Sequence, residues 1–341
     1  MIRSARSRSW WIVALLCGVL ISGCLSLAIG ARSIDVRTFF DMLGPAIEAL
    51  RTGSTGASDA EIIANLRLPR TLLALTIGAA LGVAGAIVQG QTRNPLAEPG
   101  ILGISAGAAF AITVGSVVGA AVTTPMAIVL AFGGACLASL CVFTVTSVGG
   151  GPKPLTLILA GAAMAALLSS LTSALVLSDA QSMDRLRFWT IGSVAGATLE
   201  VAVIVAPLLL AGVGIGFATA PTLNLLALGD DVAASLGVNV AAARTFAIAL
   251  VAFLAGATTA AAGPIGFVGL VVPHLVRSIT GPDYRWMLPV SALGGAILLT
   301  LADVVGRIAV PQGEVEVGVV LAFIGAPFFI AIVRRRQLVA V

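Results

Sequence analysis

The sequence predicts an all-α fold, a polytopic membrane protein of ten transmembrane helices with both termini cytoplasmic, and three observations predict it. Of 341 residues, 59% are hydrophobic and 10% charged, with a mean hydropathy of +1.10, whereas soluble domains carry roughly 25% charged residues. Apolar runs of about 20 residues, the length that crosses a bilayer as a helix, recur from end to end. The segments between them are short and marked by Pro, Gly and Arg, which leaves no room for a separate soluble domain. The chain therefore reads as a single transmembrane domain over residues 1–341 in the cytoplasmic (inner or plasma) membrane.

Taken in order, the spans fall near residues 10–30, 68–90, 100–120, 125–147, 155–177, 199–217, 242–263, 264–279, 286–308 and 315–333. The first is preceded by a basic start and contains Ile21-Ser22-Gly23-Cys24, which looks like a lipoprotein cleavage box. Apolar residues continue after Cys24 through "LSLAIG", so the run from Trp10 to Gly30 is expected to span instead. The eighth span is short and joined to the seventh only by "GPIG".

An even number of spans places both ends on one side, and those ends carry Arg3, Arg6, Arg8 and Arg334, Arg335, Arg336. The excess of basic residues in inside loops makes that side cytoplasmic. With Arg93, Lys153, Arg244, Arg277 and Arg285 also inside, eleven of the nineteen basic residues lie there. They are scattered and form no stripe, which argues against nucleic acid as a partner. Cys17, Cys24, Cys136 and Cys141 lie within apolar runs without metal-ligand spacing and read as small buried thiols. Glycine pairs four apart (78/82, 103/107, 115/119, 192/196) suit close helix packing.

Between the second and third spans stands "QTRNPLAEPG", residues 91–100. Pro95 and Pro99 lack amide donors and disfavour helix at Asn94 and Glu98, so the helix breaks here. Broken backbone exposed to lipid leaves polar groups unsatisfied, so the elbow belongs at the membrane surface or against a protein-lined cavity. The longer stretch "RLPRTLLALTIGAALGVAGAIVQGQTRNPLAEPGILGISAGAAF" resembles the signature of the FecCD family, permeases of ABC importers for iron siderophores, haem and cobalamin. "FWTIGSVAGA", "NLLALGDDVAASLGVNV", "GPIGFVGLVVPHLVR", "LADVVGR" and "VGVVLAFIGAPFFIAIVRRR" follow in the family's order and cover nearly the whole chain after residue 60.

The resemblance implies that Asn94 and Leu96 lie at a cytoplasmic gate, with the loop "GGGPKPLT" contributing to it. It also implies that Arg67, Arg70 and Arg307 face outward and dock the carboxylates of an external substrate-binding protein, a task suited to bidentate guanidiniums. The alternative for Arg67 and Arg70 is interfacial snorkelling, and for Arg307 a pair with Asp303, four residues away on the same helix face. Pro69 suits a first helical turn and should hold Leu68 extended.

No G-x-x-x-x-G-K-[ST] phosphate loop occurs, and the only lysine, Lys153, lies between two prolines, so ATP is hydrolysed by other chains. Residues 224–244 read as two short helices outside the membrane, with breaks at Gly229 and Gly237. In the resemblance these are the coupling helices that fit the ATPase, with Leu228, Gly229, Asp230, Leu236 and Gly237 as contacts. Asp230 and Asp231 also suit a helix N-terminus. His274, the only histidine, has no partner ligands and reads as structural, and no cofactor is expected. The segment "EVEVG" carries Glu316 where many family members have proline, so no binding role is transferred to Glu314 or Glu316.

The resulting expectation is a permease without enzymatic activity, working as a homo- or heterodimer with two cytoplasmic ATPases and an external binding protein. Ferric siderophore is the first expectation for its cargo, ahead of haem and cobalamin. An ion-coupled secondary transporter needs partnered ionisable residues near the bilayer midplane, and a membrane enzyme needs a catalytic cluster; neither pattern is legible.

Overall fold

A computed structural model describes residues 5–30, 36–54, 56, 58–118, 124–147, 154–177, 189–310 and 313–335. Among them there are helices, turns and irregular segments and no strand. In chain order the helices are α1 (Ala5–Ala28), α2 (Val36–Thr52), α3 (Asp59–Ile62), α4 (Leu68–Thr92), α5 (Ile104–Val117), α6 (Thr124–Ser147) and α7 (Pro154–Leu177). They continue with α8 (Leu199–Ala218), α9 (Ala220–Ala227), α10 (Asp230–Ser235), α11 (Val240–Ala262), α12 (Val268–Thr280), α13 (Tyr284–Ile308) and α14 (Val317–Arg335). Among the described residues seven helices are long and apolar enough to cross a membrane, and three shorter apolar ones lie at the third, eighth and tenth expected positions.

Two shorter helices have local causes. The third expected span begins only at Ile104, because Pro99–Leu102 forms a single 3-10 turn closed by Gly103 in the left-handed region. The eighth begins at Val268, because Gly263 and Phe267 both adopt positive φ and break the chain between α11 and α12. One expectation is corrected: Leu68 is helical, at φ −64° and ψ −51°. A π-turn over Ile63–Arg67, with Leu68 N–H donating to the Ile63 carbonyl five residues back, joins α3 to α4. Widening the turn accommodates the Pro69 ring without breaking the helix.

The sequence reading passed over α2, whose polar and apolar residues segregate to opposite faces; its Ala46 and Ala49 bury against Ala60, Ile63 and Ala64. Ser58 caps α3 in a reciprocal box with Glu61, which satisfies amides that the helix itself leaves unpaired.

Helix α4 is the hub of the fold, packed against α1, α8, α11, α12 and α13 and buried along almost its whole length. Small residues let the backbones meet: a Cβ on Gly78 would land on the Gly295 carbonyl oxygen, one on Gly82 on that of Ser291, and one on Gly85 on that of Gly269. Between lipid-embedded helices such close van der Waals contact drives association, since apolar burial alone favours neither lipid nor protein. Gly107 meets Gly134 in the same way where α5 crosses α6. Gly192 and Gly196 do not form a helix-packing pair, because both lie in the irregular segment before α8.

Gly82→Leu therefore forces α4 from α13, and we expect it to cost about 1–3 kcal/mol, as overpacking does. Gly196→Ala, with open space around it, leaves stability unchanged, and thermal unfolding in detergent compares the two.

Candidate functional site

Two polar clusters occupy the two ends of α4. At its first turn, Arg70 grips Asp303 of α13 through Nε (3.1 Å to each carboxylate oxygen) and Nη2 (2.8 Å to Oδ1), and its Nη1 reaches Glu314 at 2.7 Å. Arg307, one turn after Asp303, donates through Nε at 3.0 Å to the same carboxylate, and its Nη2 makes a further close contact there. Asp303 is 1% exposed, so both cations are held by a carboxylate that has no access to water.

The remaining donors go to the end of α1. Arg307 reaches the Ser26 carbonyl (2.7 Å), the Ile29 carbonyl (3.2 Å) and the Ser26 hydroxyl (3.0 Å), while Arg67 Nη1 reaches the carbonyls of Leu27 (2.8 Å) and Ala28 (2.6 Å). A helix leaves its last carbonyls unsatisfied and ends in partial negative charge, so two guanidiniums fit there on both counts. Arg67, Arg70 and Arg307, which the resemblance implied as docking residues, are thus brought together, buried and paired within the chain. The internal Arg307–Asp303 pair expected from their spacing is present. All three arginines also line one open recess of about 340 Å³ with Gly30, Ile62, Leu66, Ala195 and Glu314.

At the other end, α4 stops at Thr92 because Arg93 turns left-handed, at φ 48°. Asn94 then stabilises the elbow: its side-chain oxygen accepts the Leu96 amide (3.0 Å), and its carbonyl accepts the Ala97 amide (3.1 Å). This is the local turn that an asparagine side chain favours. Leu96 is partly exposed on the turn.

Residues 220–235 form two short helices, α9 and α10, the first beginning four residues before the expected segment; Gly229 at φ 118° separates them and Gly237 at φ 86° follows the second. Leu228 and Leu236 lie exposed on it, at 62% and 57%. Asp230 has a different position from a free surface contact. Its carboxylate accepts Arg93 at 2.7 Å and Arg244 of α11 at 2.9 Å on both oxygens, and Arg93 also donates to the Leu226 carbonyl at 3.0 Å. The two short helices are thereby tied to the elbow. Asn224 secures its other end, donating to Asp283 (2.7 Å) and accepting from the Tyr284 amide (2.9 Å).

Past the elbow the chain climbs back beside α4. Glu98 and Pro99 share a cavity of about 160 Å³ with Leu81, Ser105, Thr259, Pro264 and Gly266. Leu81 is eleven residues before Thr92, roughly 16 Å up the helix axis. Glu98 Oε1 accepts the Phe267 amide at 2.7 Å at the first turn of α12, where a carboxylate complements the helix dipole. This part of the elbow faces a protein-lined cavity, the second of the two placements that its broken backbone allowed.

Sequence reasoning missed the Arg70–Glu314, Asp230–Arg93 and Glu98–Phe267 contacts, whose partners are 244, 137 and 169 residues apart. No periodicity carries such pairs. His274 is buried on α12 with its ring edge-on to Phe328, 6.3 Å between centroids. Of the "GGGPKPLT" loop expected at the gate, residues 149–153 lie outside the described residues, and Pro154, Leu155 and Thr156 open α7.

Removing Asp303 strands two buried cations, so Asp303→Ala should lower stability by about 3–5 kcal/mol. Glu314 is a third exposed, and Glu314→Ala should cost no more than about 1 kcal/mol. Chemical unfolding in mixed micelles measures both.

Residues 18–335 match the FecCD transport family. Over 334 residues the chain is 42% identical to the ferric enterobactin transport system permease protein FepD of Escherichia coli (strain K12), with 97% of each chain covered. It is 39% identical over 330 residues to the hemin transport system permease protein HmuU of Yersinia pestis, covering 95% of this chain and 96% of that one. A solved structure of a metal-chelate type ABC transporter in an inward-facing conformation superposes with a TM-score of 0.79 at 31% identity, over 95% of this chain and 98% of that one. With the motifs in order, the broken helix after α4 and near-complete coverage, the chain belongs to the FecCD transport family.

Proposed function

We propose that this chain is the membrane permease subunit of an ABC importer and that its cargo is a ferric siderophore. The observation that carries the reading is the coupling segment, two short helices with Leu228 and Leu236 exposed and Asp230 bonded to the elbow of α4. An apolar exposed surface on a short helix pair suits insertion into a partner's cleft. The 42% identity over the length of a ferric enterobactin permease supports the cargo class. The 39% identity to a hemin permease makes haem the second reading.

In this reading the seven long apolar helices and three shorter ones make ten spans in a cytoplasmic membrane, with both termini on the cytoplasmic side. A second permease subunit, identical or related, completes the pathway, and two ATPase subunits bind at residues 224–244. Leu228, Gly229, Asp230, Leu236 and Gly237 form the ATPase contact, and Asn94 and Leu96 stand at the cytoplasmic gate. The external binding protein docks over the recess where Arg67, Arg70, Arg307 and Glu314 meet. The arginines shape that recess and set its charge, while their donors stay in internal bonds. Cargo released into an outward-open cavity passes when nucleotide-driven closure of the ATPases switches the permeases to their other state.

Two variants test the two faces without breaking an ion pair. Leu228→Glu with Leu236→Glu should abolish co-purification of the ATPase. Leu66→Glu, exposed at the rim of the recess, should leave the ATPase bound and weaken stimulation by the binding protein about tenfold, the effect of losing ~1.4 kcal/mol of docking energy. If uptake proceeds on an ion gradient alone, with no ATPase associated with the unaltered chain, the importer reading fails.

A further inference from the structure

Arg93 and Phe267 are the two non-glycine residues with positive φ among those described, at 48° and 68°. Left-handed backbone is unfavourable for a side chain of either size and persists only where surrounding contacts hold it. Each stands at one end of the same short segment. Arg93 begins the elbow, and its guanidinium is bonded to Asp230 (2.7 Å) and the Leu226 carbonyl (3.0 Å) of the coupling segment. Phe267 receives the elbow's other end, its amide donating to Glu98 Oε1 at 2.7 Å.

The segment between them is stiff. Pro95 has its φ fixed by its ring, as does Pro99 just beyond Glu98. Asn94 closes its own turn through Leu96 and Ala97 and donates its amide to the Gln89 carbonyl at 3.2 Å, which keeps the segment on the end of α4. Beyond Phe267 the contact continues: any side chain at Gly325 of α14 would collide with the Phe267 ring. A displacement of α10 at the surface is therefore passed along the elbow to the start of α12 and the flank of α14, beside the separate hold that Arg244 of α11 has on Asp230.

We propose that residues 93–98 act as a strut that transfers movement of the coupling segment to the start of α12, with Arg93 and Glu98 as the positioning residues at its two ends. This rests on the importer reading and adds to it the route by which the ATPase reaches the pathway. Neither residue needs to touch cargo or nucleotide. Arg93 locks the elbow to α9 and α10, and Glu98 locks it to α12, so cutting either bond weakens this link between the coupling segment and the start of α12.

The test uses the full complex of permease, ATPase and binding protein in proteoliposomes, with ferric enterobactin as the probe. The quantity read is chelate taken up per ATP hydrolysed. Arg93→Ala and Glu98→Ala should each assemble and hydrolyse ATP while uptake per ATP falls about five- to tenfold, within the usual range of coupling between sites. Because both cuts interrupt one connection, the double variant should be no worse than the worse single one. Arg93→Lys and Glu98→Gln, which keep a donor and an acceptor, should recover most of the loss.

Unchanged uptake per ATP in both alanine variants, or additive losses in the double variant, would overturn the strut while leaving the importer reading intact. Loss of the ATPase from Arg93→Ala would make Arg93 a docking contact and overturn it equally. Should an alanine variant fail to assemble at all, Arg93→Gln and Glu98→Asp are read by the same ratio with the same two outcomes. No ATPase on the unaltered chain is a failure of the importer reading, seen before any variant is made.

Discussion

The buried carboxylate of Asp303 is the constraint on which the arrangement of helices depends. It lies between the guanidiniums of Arg70 and Arg307 and is 1% exposed. An ion taken from water into such a place costs several kcal/mol unless charge and hydrogen bonds replace what water supplied. Here the replacement requires α4, α13 and the end of α1 to meet at one point, because Arg70 comes from the first, Arg307 from the second, and the spare donors of Arg307 end on carbonyls of α1. Arg67 adds a second guanidinium to the same helix end. Few other dispositions of these three helices satisfy every donor, so the cluster selects among packings that apolar contact alone would leave nearly equal.

From that point α4 runs through the middle of the molecule, and its character changes along its length. Its centre has no charge and is lined by glycines at backbone contact distance, which makes it a rigid shaft against α13 and α12. Its ends are polar and bonded to distant parts of the chain. One end faces the recess at Arg67 and Arg70; the other turns at Arg93 into the elbow and the coupling segment. A shaft that cannot bend, tied at each end to a separate polar cluster, is suited to relate events on the two faces of a membrane. Packed interfaces of this kind shift between discrete arrangements and do not deform continuously.

The placement of the charged pairs among the described residues follows the same logic. Among the described residues the ion pairs lie toward helix ends or at the elbow, and Arg70–Asp303, Arg93–Asp230 and Arg244–Asp230 each join separate segments. An ion-coupled transporter places partnered charges in mid-bilayer as its binding site. The 160 Å³ cavity beside Glu98 is small for a chelate, and it lies between structural segments of one chain.

Local rules made most of the helices legible. Apolar runs marked where they lie, Pro95 and Pro99 marked the irregular segment after α4, and Gly229 and Gly237 bounded α10, because each acts on its own backbone or its neighbour's. The same local rule misled at Leu68, where a π-turn let the helix run through Pro69. Arg307 could be paired with Asp303 from spacing alone, since both sit on one helix face. Which other side chains meet was decided only in three dimensions. Arg70 with Asp303 and Glu314, Asp230 with Arg93, and Glu98 with Phe267 are each more than a hundred residues apart, and nothing in either partner's neighbourhood names the other. Composition and local backbone chemistry determined that the chain forms apolar helices and where they break; the pairing of buried charges such as Asp303 with distant partners decided how those helices are tied together.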